Sequence, residues 1–109
     1  MTVNRIEKLT KFLEKDSDNA FAQYGLAMEH RSQGDLPKAA GFFVQLLAGH
    51  PDYTPAFLHY GSLLLEMGKI DEAVQVFKDG ILLCIEKGEE HAKEELVLAL
   101  RQADPNQAI

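Results

Sequence analysis

The stretch from Ala20 to Tyr53, AFAQYGLAMEHRSQGDLPKAAGFFVQLLAGHPDY, returns in altered form from Thr54 to Lys87 as TPAFLHYGSLLLEMGKIDEAVQVFKDGILLCIEK. Laid over one another at a shift of 34 residues with no gap, the two segments place Ala22 on Ala56, Gly34 on Gly68, Ala39 on Ala73 and Phe43 on Phe77. Similar pairs flank these identities, with Ala27 over Gly61, Leu36 over Ile70 and Leu47 over Ile81. A period of this length marks repeated supersecondary units, each unable to bury its apolar face alone.

Each unit divides in two at its glycine. In the second, Thr54 is placed to cap a helix and Pro55 suits its first turn, where a missing N–H costs nothing. Phe57, Tyr60, Gly61, Leu64 and Met67 recur at three and four residues, one face of a helix. Gly68 then supplies the left-handed residue that ends it. A second helix follows, with Asp71 and Glu72 near its positive end and Ile70, Ala73, Val74, Phe77, Ile81 and Cys84 as its inward stripe. The first unit has the same plan: Ser17 or Asp18 as cap, Phe21, Tyr24, Ala27 and Met28 along the first helix, and Gly34 closing it. Asp35 caps the next, Pro37 falls in its first turn, and Ala39, Ala40, Phe43, Leu46 and Leu47 line the buried side.

Two flanking helices complete the reading. Residues 4–15 carry Ile6, Leu9, Phe12 and Leu13 on one side, opened by Asn4 and Glu7 at the spacing of a capping box. Residues 89–103 carry Ala92, Leu96, Ala99, Leu100 and Ala103 inward and a charged outer face, and Asp104-Pro105 stops them. Residues 106–109 read as a frayed tail. The expectation is one domain over residues 1–109, all-α, with helices at about 4–15, 18–33, 36–48, 54–67, 70–87 and 89–103. Two-residue alternation is nowhere sustained, so no strand competes.

Composition narrows the function. The chain has 109 residues, 46% hydrophobic and 26% charged, the balance of a soluble globular domain. Its 17 acidic against 11 basic residues give a formal charge of -6, which repels phosphate backbones and anionic lipid and so argues against nucleic-acid and membrane partners. No apolar run reaches membrane-spanning length, and the charged start at Arg5 and Glu7 does not fit a signal peptide, so a cytoplasmic protein is expected. The single Cys84 sits in an apolar run and reads as a core thiol.

Catalytic and metal chemistry find no support. His30, His50, His59 and His91 show no paired ligand spacing, and a lone cysteine adds none. The serines carry no nucleophile signature, and the glycines stand singly without forming a phosphate loop. No catalytic residue, cofactor site or metal ligand is assigned. The acidic run Glu86, Glu89, Glu90, Glu94 and Glu95 reads as a solvated helix face, because Lys87 and Lys93 interleave with it.

Leu26-Ala27, Gly34, Ala39, Phe43 and Pro51, followed by Tyr60-Gly61, Gly68, Ala73 and Phe77, resemble the tetratricopeptide repeat, whose pattern sets large, small, glycine, alanine, aromatic and proline residues in that order. Gln23 and His30 depart from it, standing where the family often has aromatic residues. The resemblance implies antiparallel hairpins stacked as a short solenoid, with repeats at 20–53 and 54–87, a preceding half-repeat helix at 4–15 and a capping helix at 89–103. Small Ala27 and Gly61 then let paired helices approach, and Phe43 and Phe77 fill the space between repeats.

The function implied is that of a protein-interaction module binding a peptide or helix on its first helices. The family's ligand-facing positions fall on Phe21, Tyr24, Met28 and Arg31, and on Pro55, Leu58, Ser62 and Leu65. This surface is poor in charge, suited to an apolar-faced helix or extended segment. The clamp of lysine, asparagine and arginine with which similar proteins hold acidic chaperone tails is not reproduced here. The alternative is a self-associating structural subunit, a homo-oligomer, because two full repeats are few for stability, or an accessory subunit of a larger complex.

Overall fold

The computed structural model describes residues 2–106, with side chains described from Arg5 onward. It contains α1 (Thr2–Lys15), α2 (Ala20–Ser32), α3 (Leu36–Gly49), α4 (Thr54–Glu66), α5 (Ile70–Lys87) and α6 (Glu90–Ala103), and no strand among the described residues. Every predicted helix is present, with ends shifted by no more than two residues. The expected tail at 107–109 lies outside the described residues. The chain divides into two compact units, Met1–Pro51 and Asp52–Ile109.

The glycines end helices as the repeat requires. Gly34 has φ 84° and Gly68 φ 77°, conformations a β-carbon disfavours. At the first, Asp35 donates its N–H to the His30 carbonyl at 2.9 Å; at the second, Lys69 donates to Leu64 at 2.8 Å, so each turn satisfies a helix-end carbonyl. The helix starts differ from expectation. Asn19, not Ser17 or Asp18, caps α2 by accepting the Ala22 N–H at 3.0 Å. Helix α1 already begins at Thr2, so Asn4 lies inside it. Asp35 caps α3 as predicted, accepting from the Lys38 N–H at 3.3 Å.

In the first unit Leu9, Ala22 and Leu26 form a buried cluster joined by Ile6, Leu13 and Phe42. Leu9 seats its methyl groups against Gly25, where a β-carbon would come within 2.9 Å of them. Phe12, expected inward with these residues, is 49% exposed. An Arg5–Glu29 ion pair at 2.7 Å ties α1 to α2. His50 Nε2 lies 2.7 Å from the Asp18 carbonyl oxygen, hydrogen-bonding the end of α3 to the α1–α2 turn. Gln23 is buried and donates to the Ser17 carbonyl at 3.0 Å, a polar anchor where the family often has an aromatic ring.

His30 is buried and stacked on Phe42, ring centroids 5.5 Å apart and planes 1° from parallel. Burial, with the nearby Lys38 charge, holds its imidazole below the usual 6.5, against weaker opposing effects of Asp35 and Glu29. A depressed folded-state value means that the stability it confers is complete above the unfolded value and is lost as pH falls through 6.5 toward the folded one. The variant His30→Phe keeps the stack and removes the titration. Its melting temperature is expected to fall less than that of the parent between pH 7 and pH 5, measured by circular dichroism.

In the second unit Leu64, Ala73, Val74, Phe77, Ile81, Cys84, Leu96 and Leu100 form the core. Phe77 lies over Gly61 of its own hairpin, within the distance a β-carbon there would need, and shares its core with Leu96 and Leu100 of α6. Gly80 takes the close approach of Phe57, whose β-carbon would stand 2.7 Å from one added at Gly80. Ile70, assigned to the inward stripe, is 51% exposed, as the first residue of α5 where the helix has only just begun. Cys84 is 1% exposed, and burial, helped by Glu89, pushes its thiol upward against the opposing charge of Lys87. A disulfide-exchange reagent should leave it unmodified in the native protein and titrate it fully in denaturant; rapid native labelling would contradict the packing described.

Candidate functional site

Helix α4 is anchored at its start by polar contacts to the far end of the same unit. Thr54 is buried; its hydroxyl donates to Glu89 Oε1 at 2.6 Å and accepts from Lys87 Nζ at 3.0 Å. Lys87 also donates to the Asp52 carbonyl at 2.9 Å and lies 3.6 Å from Glu89 Oε2. With its hydroxyl engaged in this way Thr54 makes no cap; Tyr53 occupies the cap position without a side-chain bond to the helix. The predicted cap is thus a tether that fixes where α4 starts relative to the α5–α6 turn.

Beside this tether α4 and α6 enclose a cleft of about 260 Å³ lined by Thr54, Pro55, Leu58, His59, Ala92, Glu95 and Leu96. Pro55, Leu58, Ala92 and Leu96 give apolar walls, while Thr54, His59 and Glu95 supply polar groups. Leu58 and Ala92 are half-buried and pack against the core of the unit, so the walls are supported from behind. The volume falls below the range of roughly 300–1,000 Å³ usual for small-molecule pockets. It suits an anchoring side chain of a larger ligand.

The predicted ligand-facing residues divide between the two units. Leu58 and Pro55 line the cleft; Ser62 and Leu65, further along α4, are half-buried and are not among its lining residues, Leu65 packing on the core. In the first unit Phe21 is 59% exposed and meets the edge of Phe12, centroids 6.4 Å apart at 86°. Tyr24 is half-buried with its ring edge-on to Phe43 at 6.4 Å, and Met28 and Arg31 are half-buried. Lys8, Lys11, Phe12 and Lys15 line a second hollow, of about 270 Å³, along α1.

The sequence reading missed the contribution of α6. Glu95, assigned to a solvated face, is exposed and also stands at the cleft, 3.8 Å from exposed His91. The signal was present: one repeat length beyond Leu58 is Ala92, and one beyond Ser62 is Leu96, so α6 continues the series of first helices. Among the described residues no group of three histidine, cysteine or acidic side chains is placed to hold a metal ion, and no helix is long and apolar enough to cross a membrane.

Comparisons with known proteins agree with this architecture. A family model described as tetratricopeptide repeat matches residues 30–82. A TPR repeat-containing protein of Pseudomonas aeruginosa is 28% identical over 99 residues, covering 91% of this chain and 94% of that protein. The solution structure of a tetratricopeptide repeat domain protein from Salinibacter ruber is similar with TM-score 0.78 and 28% identity, over 86% of this chain and 95% of the other. The TPR2B domain of yeast Sti1, in complex with pHsp70, superposes with TM-score 0.88 at 11% identity, over 97% and 85% of the two chains, a likeness of fold alone. The fold in this family generally mediates protein–protein interactions, and its members generally act as non-enzymatic scaffolds. With its 34-residue period and its glycine-ended hairpins, the chain has the tetratricopeptide-repeat fold, and it is similar to that family over residues 30–82.

Proposed function

We propose that the protein is a cytoplasmic interaction module that takes an extended peptide or the apolar face of a helix against α4 and α6, with one apolar side chain anchored in their cleft. The observation that carries this reading is the apolar wall of Pro55, Leu58, Ala92 and Leu96 with polar groups only beside it. Buried apolar anchors surrounded by polar groups are the usual energetic centre of an interface. The Sti1 domain, of the same fold, is in complex with pHsp70. Phe21, Tyr24, Met28 and Arg31 present a separate ligand-facing surface in the first unit, and Ser62 and Leu65 extend that of α4.

Glu95 adds a preference. A lysine or arginine one turn or two residues from the anchoring side chain gains an ion pair at the edge of the cleft, worth about 1 kcal/mol or less where exposed. Binding is therefore dominated by apolar burial and depends weakly on salt. Peptides selected from a random displayed library are the test. They should carry a leucine, methionine or aromatic anchor and lose little affinity between low and high ionic strength; a steep loss with salt would reject the reading. The substitution Tyr24→Ala, with its fold checked by circular dichroism, tests the surface of the first unit in the same titration.

A further inference from the structure

Helix α1 serves two faces. Ile6, Leu9 and Leu13 join the cluster that holds it to α2. At about 100° per residue, Lys8, Lys11, Phe12 and Lys15 fall within roughly 100° of one another on a different face, and they line the hollow of about 270 Å³. All four are exposed. Phe12 meets the ring of Phe21 edge-on, and that ring, on α2, is exposed as well. Such a contact orders both rings without burying them, so an apolar anchor stands ready before any ligand arrives.

The rim of this hollow is cationic in a chain whose formal charge is -6. Lys8, Lys11 and Lys15 follow one another at three and four residues, spacings at which like charges on a helix repel. None of them makes an ion pair among the described residues. Glu7 and Glu14 lie beyond Lys11, about 140–160° around the helix from Phe12, and so do not stand over its ring. On the other side Arg5 is held by Glu29 at 2.7 Å. Lysine stems cover apolar surface while their ammonium groups stay in water. A purely apolar ligand would strip that water and return nothing, whereas carboxylates replace it with charge-assisted hydrogen bonds.

We infer that this face docks an acidic segment of a partner protein, an extended stretch that lays one aromatic or large aliphatic residue on Phe12 and Phe21 and carries Asp or Glu on either side of it. Lys8 and Lys15 stand about 10.5 Å apart along the helix, a length that three or four extended residues span. That footprint selects among polyanions. A nucleic acid or an anionic membrane reaches well past it and meets the exposed Glu7, Glu14, Asp16 and Asp18 of the same unit, with the net charge of the chain opposing it further. A short acidic segment covers the lysines alone. Apart from Phe21 the surface lies outside the ligand-facing positions that the repeat implies. It uses no residue of the α4–α6 cleft, and either reading can fail without the other.

The probe is a blocked peptide, acetyl-Glu-Asp-Phe-Asp-Glu-amide, titrated into the isotope-labelled protein. Chemical shifts should move most at Lys8, Lys11, Phe12, Lys15 and Phe21, and affinity should fall steeply with ionic strength, because exposed pairs are screened. Lys8→Gln/Lys15→Gln should lose about tenfold, the product of two exposed pairs worth roughly threefold each. Phe12→Ser should weaken the peptide too, but should make no further difference to a peptide with alanine in place of phenylalanine, since the two rings act on each other. Leu58→Ala should leave this affinity unchanged, which separates the surface from the cleft, and circular dichroism verifies that each variant is folded. No saturable binding, shifts that fall away from α1, or an affinity indifferent to salt or to Phe12→Ser overturns the proposal. So does tighter binding of phosphatidylserine vesicles or of a single-stranded oligonucleotide than of the peptide.

Discussion

Replacing Gly61 by alanine should destabilise the protein, although the same change in an exposed helix interior is ordinarily worth up to about 1 kcal/mol in the opposite direction. The reason is the ring of Phe77, which occupies the space a β-carbon would need. That ring is 0% exposed among core neighbours, so it has nowhere to move. Overpacking of this kind costs roughly 1–3 kcal/mol, which exceeds the gain in helix propensity. A leucine at the same place has to displace α4 from α5, and against a total stability of about 5–15 kcal/mol it is expected to unfold the second unit. Gly41 is the control. It lies within α3, is exposed and has no atom within 4 Å of a would-be β-carbon, so Gly41→Ala should raise the melting temperature by a few degrees. Thermal melts in which both alanine variants gained stability would remove the argument that close helix approach at Gly61 holds the repeat together.

The second large effect concerns binding. Leu58 is the largest apolar side chain that α4 gives to the cleft, and it faces Ala92 and Leu96 across it. Truncation of such a central anchor typically costs about 2 kcal/mol, a loss of affinity of roughly 30-fold. Leu58→Ala is thus expected to weaken every selected peptide by that order. Because Leu58 also packs on the core, the variant loses some stability, which circular dichroism separates from the binding effect. Unchanged affinity in a folded variant would move the binding surface elsewhere.

The fold was legible because its determinants are local and periodic. A shift of 34 residues brings glycine onto glycine at the two hairpin turns, and small residues fall wherever helices approach. Less legible were features fixed by partners distant in sequence. Thr54 has the side chain of a cap, but Glu89 and Lys87 claim its hydroxyl across 33 and more residues. Asn19 outcompetes Ser17 and Asp18 as a cap because the Gln23 side chain binds the Ser17 carbonyl and the His50 ring binds that of Asp18, holding the turn before α2 in place. Phe12 falls close to the apolar face of α1 by periodicity, yet Leu9 and Leu13 already fill the contact with α2, leaving its ring to meet Phe21 at the surface.

The candidate site was half legible for a related reason. The residues of α4 followed from the repeat pattern, since Leu58 sits on the face that pattern leaves uncovered. The α6 wall did not, because the helix departs from the pattern: Glu95 stands one repeat length beyond Gly61, and a charged residue there disguises the continuation. Alanine and leucine at 92 and 96 were read as core residues, and Leu96 is indeed 1% exposed while also lining the cleft. A residue can serve both roles at the mouth of a helix pair. Amphipathic pattern alone separates inside from outside and does not mark that boundary.

Chemical-shift mapping of a library-selected peptide on the isotope-labelled protein is the most direct measurement of the central claim. The account predicts that the largest perturbations fall on Leu58, His59, Ala92, Glu95 and Leu96, with those of the α5 outer face near zero. Perturbations confined to the outer face of α5, or a library that yields no binder, would contradict it.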